Sequence, residues 1–229
     1  MKDFTLRKRF LDCKSGTCSL FKGFVMLVVL MLMTTSSAMA QEAKFEVIDG
    51  FRYLLDSGTK TATLVPPKDG DYSGDIIIIP EKVKGNDGVE YVVTTLGASC
   101  FSGCRGLTSI TIPSSVYIIG QSCFSNCSGL TSITIPSSVT SLGQSCFSNC
   151  SGLTSITIPS SVTSLGDRCF SYCNGLTSIT IPSSVTSLGD GCFSYCRGLT
   201  SITIPSSVTS LGQSCFSNCS GLTSITIPS

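Results

Sequence analysis

The chain has 229 residues, 15 Lys and Arg against 14 Asp and Glu, and neither histidine nor tryptophan. Without an imidazole, Ser-His-Asp and Cys-His mechanisms and histidine metal sites are excluded within the chain. Basic residues do not cluster beyond the first forty positions. A phosphate-neutralising stripe is therefore missing, and the reading is of no nucleic acid partner.

At the start, Lys2, Arg7, Lys8, Arg9, Lys14 and Lys22 form a basic leader ahead of the apolar run Phe24 to Met33. Thr34 to Ala40 follows, and Ala38-x-Ala40 fits a small-residue cleavage site before Gln41. A membrane span needs about 20 apolar residues, well beyond this run, so residues 1–40 are expected to be a cleavable signal peptide. The expected destination is outside the cell membrane, with no membrane span after signal cleavage. The leader holds six of the fifteen basic residues and two acids, leaving nine basic and twelve acidic residues beyond it, a mildly negative balance.

Residues 41–73 are not repetitive and read as an N-terminal β cap. Phe45 to Ile48, Asp49-Gly50 and Phe51 to Leu55 predict a hairpin on a type I′ turn, with a third strand over Thr61 to Val65. Residues 74–97 read as an atypical first coil: Ile76 to Ile79 before Pro80 matches the strand of the later repeats, and Leu96-Gly97 matches Leu142-Gly143. An insertion around Lys84 to Tyr91, carrying Gly85-Asn86-Asp87-Gly88, is expected to be a surface loop.

From Leu107 onward the same 23 residues recur. Leu130 to Gly152 reads LTSITIPSSVTSLGQSCFSNCSG, and Leu199 to Gly221 repeats it letter for letter. Such a period means a stacked solenoid. Ser132 to Ile135 alternates polar and apolar residues and is stopped by Pro136, predicting one short parallel strand per coil with Ile133 and Ile135 inward. Val139, Leu142, Cys146, Phe147 and Cys150 follow at spacings that suit irregular or 3₁₀ turns packing back on the sheet. Gly143 and Gly152 are expected at the corners between segments. One unit buries too few side chains to offset the ordering of its backbone, so ladders of Ile, Leu and Phe must be shared between coils. The fold class expected is thus a mainly β repeat solenoid over 74–229. The chain stops in mid-repeat after Thr226-Ile227-Pro228-Ser229, which leaves Leu222, Ile225 and Ile227 uncovered. Either end-to-end self-association or a truncated member of a longer family is expected, truncation being preferred.

The motifs LTSITIPSSVTSLG and CFSNC or CFSYC resemble the leucine-rich repeats of the BspA type, found in surface proteins of Bacteroidales and other host-living microbes. The resemblance covers about Gly74 to Ser229. It implies a right-handed solenoid, secreted or surface-exposed, that is linked to adhesion and is seldom an enzyme. The family usually has alanine where Cys100, Cys123, Cys146, Cys169, Cys192 and Cys215 stand. Each of these pairs with a second cysteine four residues on, Cys104 through Cys219. Three readings stay open for the twelve: core packing, which their phase with Phe147 favours; disulfides, which the reach of residues four apart disfavours; and a thiolate metal ladder.

Two surfaces are candidates for binding. The strands carry outward hydroxyl columns, among them Thr131, Ser132 and Thr134, Thr154, Ser155 and Thr157, and Thr177, Ser178 and Thr180. This makes a flat, uncharged face, either a repetitive docking surface or simply good exposed strand formers. Comparison of the coils singles out Arg168, Tyr172, Tyr195 and Arg197 on the turns opposite, residue types favoured at contact hot spots but also explained by drift at exposed turns. The reading is a non-catalytic chain without cofactor that contacts an extracellular protein or glycan. The alternative is a structural stalk or fragment that binds nothing itself.

Overall fold

The computed structural model describes residues 44–227; the leader and its cleavage site lie outside them. The cap opens with β1 (Lys44–Ile48) and β2 (Phe51–Asp56), an antiparallel pair. Their two-residue connection puts Asp49 and Gly50 at φ 49° and 82°, the left-handed pair that a type I′ turn requires. β3 (Thr61–Leu64) pairs antiparallel with β2 and parallel with β6 (Glu90–Leu96). Before β6 come β4 (Ile76–Ile78) and β5 (Lys82–Lys84), and β5 lies antiparallel on β6.

The insertion at Lys84 to Tyr91 is therefore the tip of a hairpin, not a free loop. The backbone N–H of Asn86 donates to Glu46 Oε2 at 2.7 Å, and Glu46, which is buried, pairs with Lys44 at 2.7 Å. These partners hold the Glu46 carboxyl below its usual range, the Lys44 bond contributing most. The tip closes most of its hydrogen bonds on itself, Gly85 with Val89 and Gly88 with Gly85, and the Asn86–Glu46 bond ties it to the cap.

Each later coil contributes two parallel ladders where the sequence predicts one strand. The first is broken into pairs: β4 with β7 (Ser109–Thr111), β9 (Ser132–Thr134) with β11 (Ser155–Thr157), and β14 (Ser201–Thr203) with β16 (Ser224–Thr226), plus a single bridge at Thr157–Thr180. Ile133 and its equivalents point inward, and the flanking serines and threonines point out. The second ladder holds β8 (Ile118–Ile119), β10 (Ser141–Leu142), β12 (Ser164–Leu165), β13 (Ser187–Leu188) and β15 (Ser210–Leu211). It continues directly from β6, so cap and coils share one ten-stranded sheet. No α-helix occurs among the described residues.

The core is built as columns, because every apolar position meets its own copy in the next coil. Phe101, Phe124, Phe147, Phe170, Phe193 and Phe216 stack at 5.4–5.5 Å between ring centroids, within 7° of parallel. Phe51 and Tyr72 of the cap extend this spine as tilted pairs at 5.1 and 5.4 Å. Beside it run the cysteines, all free thiols and all buried except Cys219, which is half-buried. The second cysteine of a pair donates its S–H to the phenylalanine carbonyl of the preceding coil, as Cys150 does to Phe124 at 3.0 Å. A further column, Ser138, Ser161, Ser184 and Ser207, donates in the same way to Val116, Val139, Val162 and Val185.

The two glycine columns sit at the corners between segments, where neighbouring backbones come close. A Cβ at Gly198 would stand 2.3 Å from the Asn174 carbonyl oxygen, and one at Gly189 would stand 2.4 Å from the Asp167 nitrogen. Close approach of neighbouring backbones, rather than a left-handed φ, selects glycine there. Gly106 holds the same repeat position but has nothing within 4 Å of its Cβ site. Gly198→Ala should therefore destabilise the solenoid by about 3 kcal/mol, the upper end for overpacking, since rigid backbone obstructs the methyl group. Gly106→Ala should be close to neutral. Urea unfolding of the two variants checks the pair.

Candidate functional site

The turn side of each coil is a chain of tight turns with alternating hydrogen bonds. In the coil from Leu130, Cys146, Ser148 and Cys150 donate to carbonyls three residues back, while Ser145, Phe147 and Asn149 donate to Asp167, Cys169 and Ser171 of the next coil. The alternation needs a left-handed residue at two fixed places. The first column is Ser99, Ser122, Ser145, Arg168, Gly191 and Ser214, at φ 53–58°. The second is Gly103, Asn126, Asn149, Tyr172, Tyr195 and Asn218, all at positive φ. Glycine and asparagine suit this conformation, and a bulky residue does not.

Tyr172 and Tyr195 thus occupy backbone positions at φ 61° and 59° that their sister coils give to asparagine. Holding two bulky residues there costs on the order of 2 kcal/mol. Their rings stack in parallel at 4.4 Å, which returns about 1 kcal/mol. Stability alone does not account for the pair. Tyr172 remains 43 % exposed.

These columns form the walls of a groove of about 650 Å³ that crosses four successive coils. Tyr172, Tyr195 and Asn218 stand on one side, and Arg168, Asp190 and Gln213 on the other. Its floor is serine; Ser171 and Ser194 are buried and share a hydrogen bond of 2.8 Å. Asp190 receives the backbone N–H of Gln213 at 2.7 Å, as Asp167 receives that of Asp190 at 2.9 Å. Among the described residues Arg168 makes no ion pair, so its guanidinium is available. Gly191 leaves the first wall without a side chain beside Tyr195.

Of the turn residues singled out in the sequence, Arg168, Tyr172 and Tyr195 come together in this groove. Arg197 is exposed and does not line it. Asp190, Gly191 and Gln213 were not selected as binding residues. The available signal was the asparagine column itself: a residue typical of left-handed turns marks where a substituted aromatic is out of the ordinary.

On the strand side, Ser132, Thr134, Ser155, Thr157, Ser178 and Thr180 are exposed, as their alternation requires. The column of Thr131, Thr154 and Thr177 behaves differently. Thr154 donates its hydroxyl to the Thr131 carbonyl at 3.2 Å, and Thr200 does the same to Thr177 at 3.3 Å. These hydroxyls staple one coil to the next and are less free for a partner than an isolated threonine would be. Two further depressions on this face measure about 330 and 510 Å³.

A family model for the BspA type leucine rich repeat region matches residues 94–223 in six copies. The chain belongs to the BspA-type leucine-rich repeat family. No curated protein matches it. Among solved structures, a leucine-rich repeat protein of Bacteroides ovatus is 36% identical with a TM-score of 0.70, over 79% of this chain and 46% of that one. A leucine rich cell surface protein of Faecalibacterium prausnitzii is 31% identical with a TM-score of 0.60, over 84% and 55%. A leucine rich repeat protein of T. pallidum, 23% identical over 76% and 67% with a TM-score of 0.51, shares the fold. This BspA-type chain spans about half the length of the first two. No helix among its described residues is long and apolar enough to cross a membrane.

Proposed function

We propose that this BspA-type protein is secreted or displayed on the cell surface, where it holds an extracellular protein or glycan by surface contact and carries out no chemistry. The tyrosine stack, with Tyr172 exposed and Tyr195 half-buried, carries this reading, because two strained aromatics are kept where asparagine would serve the fold better. Similarity to a cell surface protein of Faecalibacterium prausnitzii supports the location. The lack of histidine supports a non-catalytic role. A signal peptide over residues 1–40 and adhesion to a host or to other bacteria belong to the same proposal.

The stapled threonine column favours a second role for the strand face, that of a stiff spacer. The two roles separate experimentally. The intact chain is applied to an array of extracellular matrix proteins and glycans, together with Tyr172→Asn/Tyr195→Asn and Thr134→Val/Thr157→Val/Thr180→Val. Saturable binding that falls about tenfold or more in the tyrosine variant alone is expected, as for truncated aromatic hot spots. Binding by neither wild type nor variants would leave only the spacer.

A further inference from the structure

We infer that the groove between Tyr172/Tyr195 and Arg168/Asp190/Gln213 is a subsite for a neutral, linear carbohydrate lying along the solenoid. The inference rests on the binding role proposed above and names its ligand class.

The lining selects the chemistry. Its apolar part is two tyrosine rings, and no aliphatic side chain contributes to the groove. A peptide anchored by Leu, Ile or Val would find no apolar pocket there. A pyranose ring instead offers hydroxyls and C–H groups around its rim, and the tyrosine pair, its inner faces closed by stacking at 4.4 Å, meets them with ring edges and phenolic hydroxyls. The opposite wall supplies planar groups that match those hydroxyls: the Asp190 carboxylate, the Gln213 amide and the Arg168 guanidinium. One acid and one base cancel, so the groove does not select for a charged polymer.

Spacing points the same way. Equivalent positions along the groove recur once per coil, at about the 4.8 Å spacing of paired strands, and the groove's own two rings stand 4.4 Å apart. Side chains on one face of an extended peptide recur at about 6.6 Å, twice the strand rise, and fall out of step within a few coils. A hexose unit in an extended polymer has about the length of one coil, so successive rings meet equivalent positions. Gly191 opens the first wall beside Tyr195, the place where Ser145 and Ser214 put a side chain in other coils.

The test is titration of the intact chain with soluble β-linked glucose, mannose and N-acetylglucosamine oligomers of increasing length, by calorimetry. Affinity should rise with length until the oligomer covers the four coils of the groove, then level off. Tyr172→Asn/Tyr195→Asn should abolish the heat. Gly191→Ser should weaken binding about tenfold or more by narrowing the gap. Both variants place a residue that sister coils already carry at that φ, so folding is retained and near-ultraviolet circular dichroism can show it.

Oligosaccharide binding unchanged in the tyrosine variant would overturn the site. No oligosaccharide binding, alongside tyrosine-dependent binding of a matrix protein on the array, would overturn the carbohydrate assignment and leave the binding role standing. No binding on either platform would overturn both.

Discussion

Raising the pH above 9 in the presence of a reductant is expected to unfold this protein. Eleven of the twelve repeat cysteines are buried, and burial pushes each thiol above its ordinary value of 9.0. Cys215 rises to about 11, and Cys150 and Cys196 to about 12, in each case mainly through loss of solvent around the thiolate. The native state therefore keeps protons that the unfolded chain releases. A raised value in an acid gives stability that is complete below about 9 and is lost as the pH climbs through 11 to 12. One pH unit above the ordinary value costs roughly 1.4 kcal/mol per thiol. Because the buried thiols of both ladders share this direction, their losses add along the stack as the pH rises above 9, against a domain stability of only about 5–15 kcal/mol. Far-ultraviolet circular dichroism between pH 7 and 11 in the presence of a reductant measures it. A variant with alanine at Cys146, Cys169 and Cys192 should move the midpoint upward. A midpoint that stays put, or a fold intact at pH 11, would contradict the account of the thiols as neutral core residues.

Phe147→Ala is expected to destabilise the solenoid by about 3–5 kcal/mol, the usual range for a fully buried aromatic. The ring has no solvent exposure and is stacked on both faces, by Phe124 at 5.4 Å and Phe170 at 5.5 Å. Because each coil is held chiefly by its neighbours, the loss falls on the two interfaces that transmit cooperativity along the stack. The transition should broaden, or split into two, as the coils on either side of the gap unfold separately. Phe45→Ala is the comparison. Phe45 is more than half exposed and touches the Arg52 guanidinium at 4.2 Å, so its loss costs no more than about 1 kcal/mol. Equal effects from the two substitutions would remove the spine from its place in the account.

How much of this was readable in the amino acids depends on the scale of the feature. The 23-residue period, the inward isoleucines and the Asp49-Gly50 turn were legible because each rests on a local rule. Core packing of the cysteines followed from their phase with Phe147, and the buried columns agree with it. The second ladder escaped because Ser141–Leu142 is a strand of two residues; a period of two cannot be recognised in a segment that short. The glycine corners were legible from their place between segments, but their cause was not: serine and asparagine take the left-handed conformation, and glycine admits a neighbouring backbone. The hydroxyl face was drawn correctly in outline, yet whether the Thr154 hydroxyl faces solvent or a carbonyl of another coil is a matter of distance that no spacing rule contains. The same limit applied to the groove. Tyr172, Tyr195, Arg168 and the Asp190-Gly191 pair are visible as departures from the repeat, but that Gln213 and the buried serines join them in one groove follows only from stacking across coils.

The central claim is that the turn side, and not the strand side, makes the contact this protein exists to make. The most direct test is a side-by-side equilibrium binding measurement of wild type, Tyr172→Asn/Tyr195→Asn and Thr134→Val/Thr157→Val/Thr180→Val against the partner that the array retains. The account predicts that the tyrosine variant loses about tenfold or more in affinity while the threonine variant binds as wild type does. Loss in the threonine variant, with the tyrosine variant unaffected, would contradict it and move the contact to the sheet.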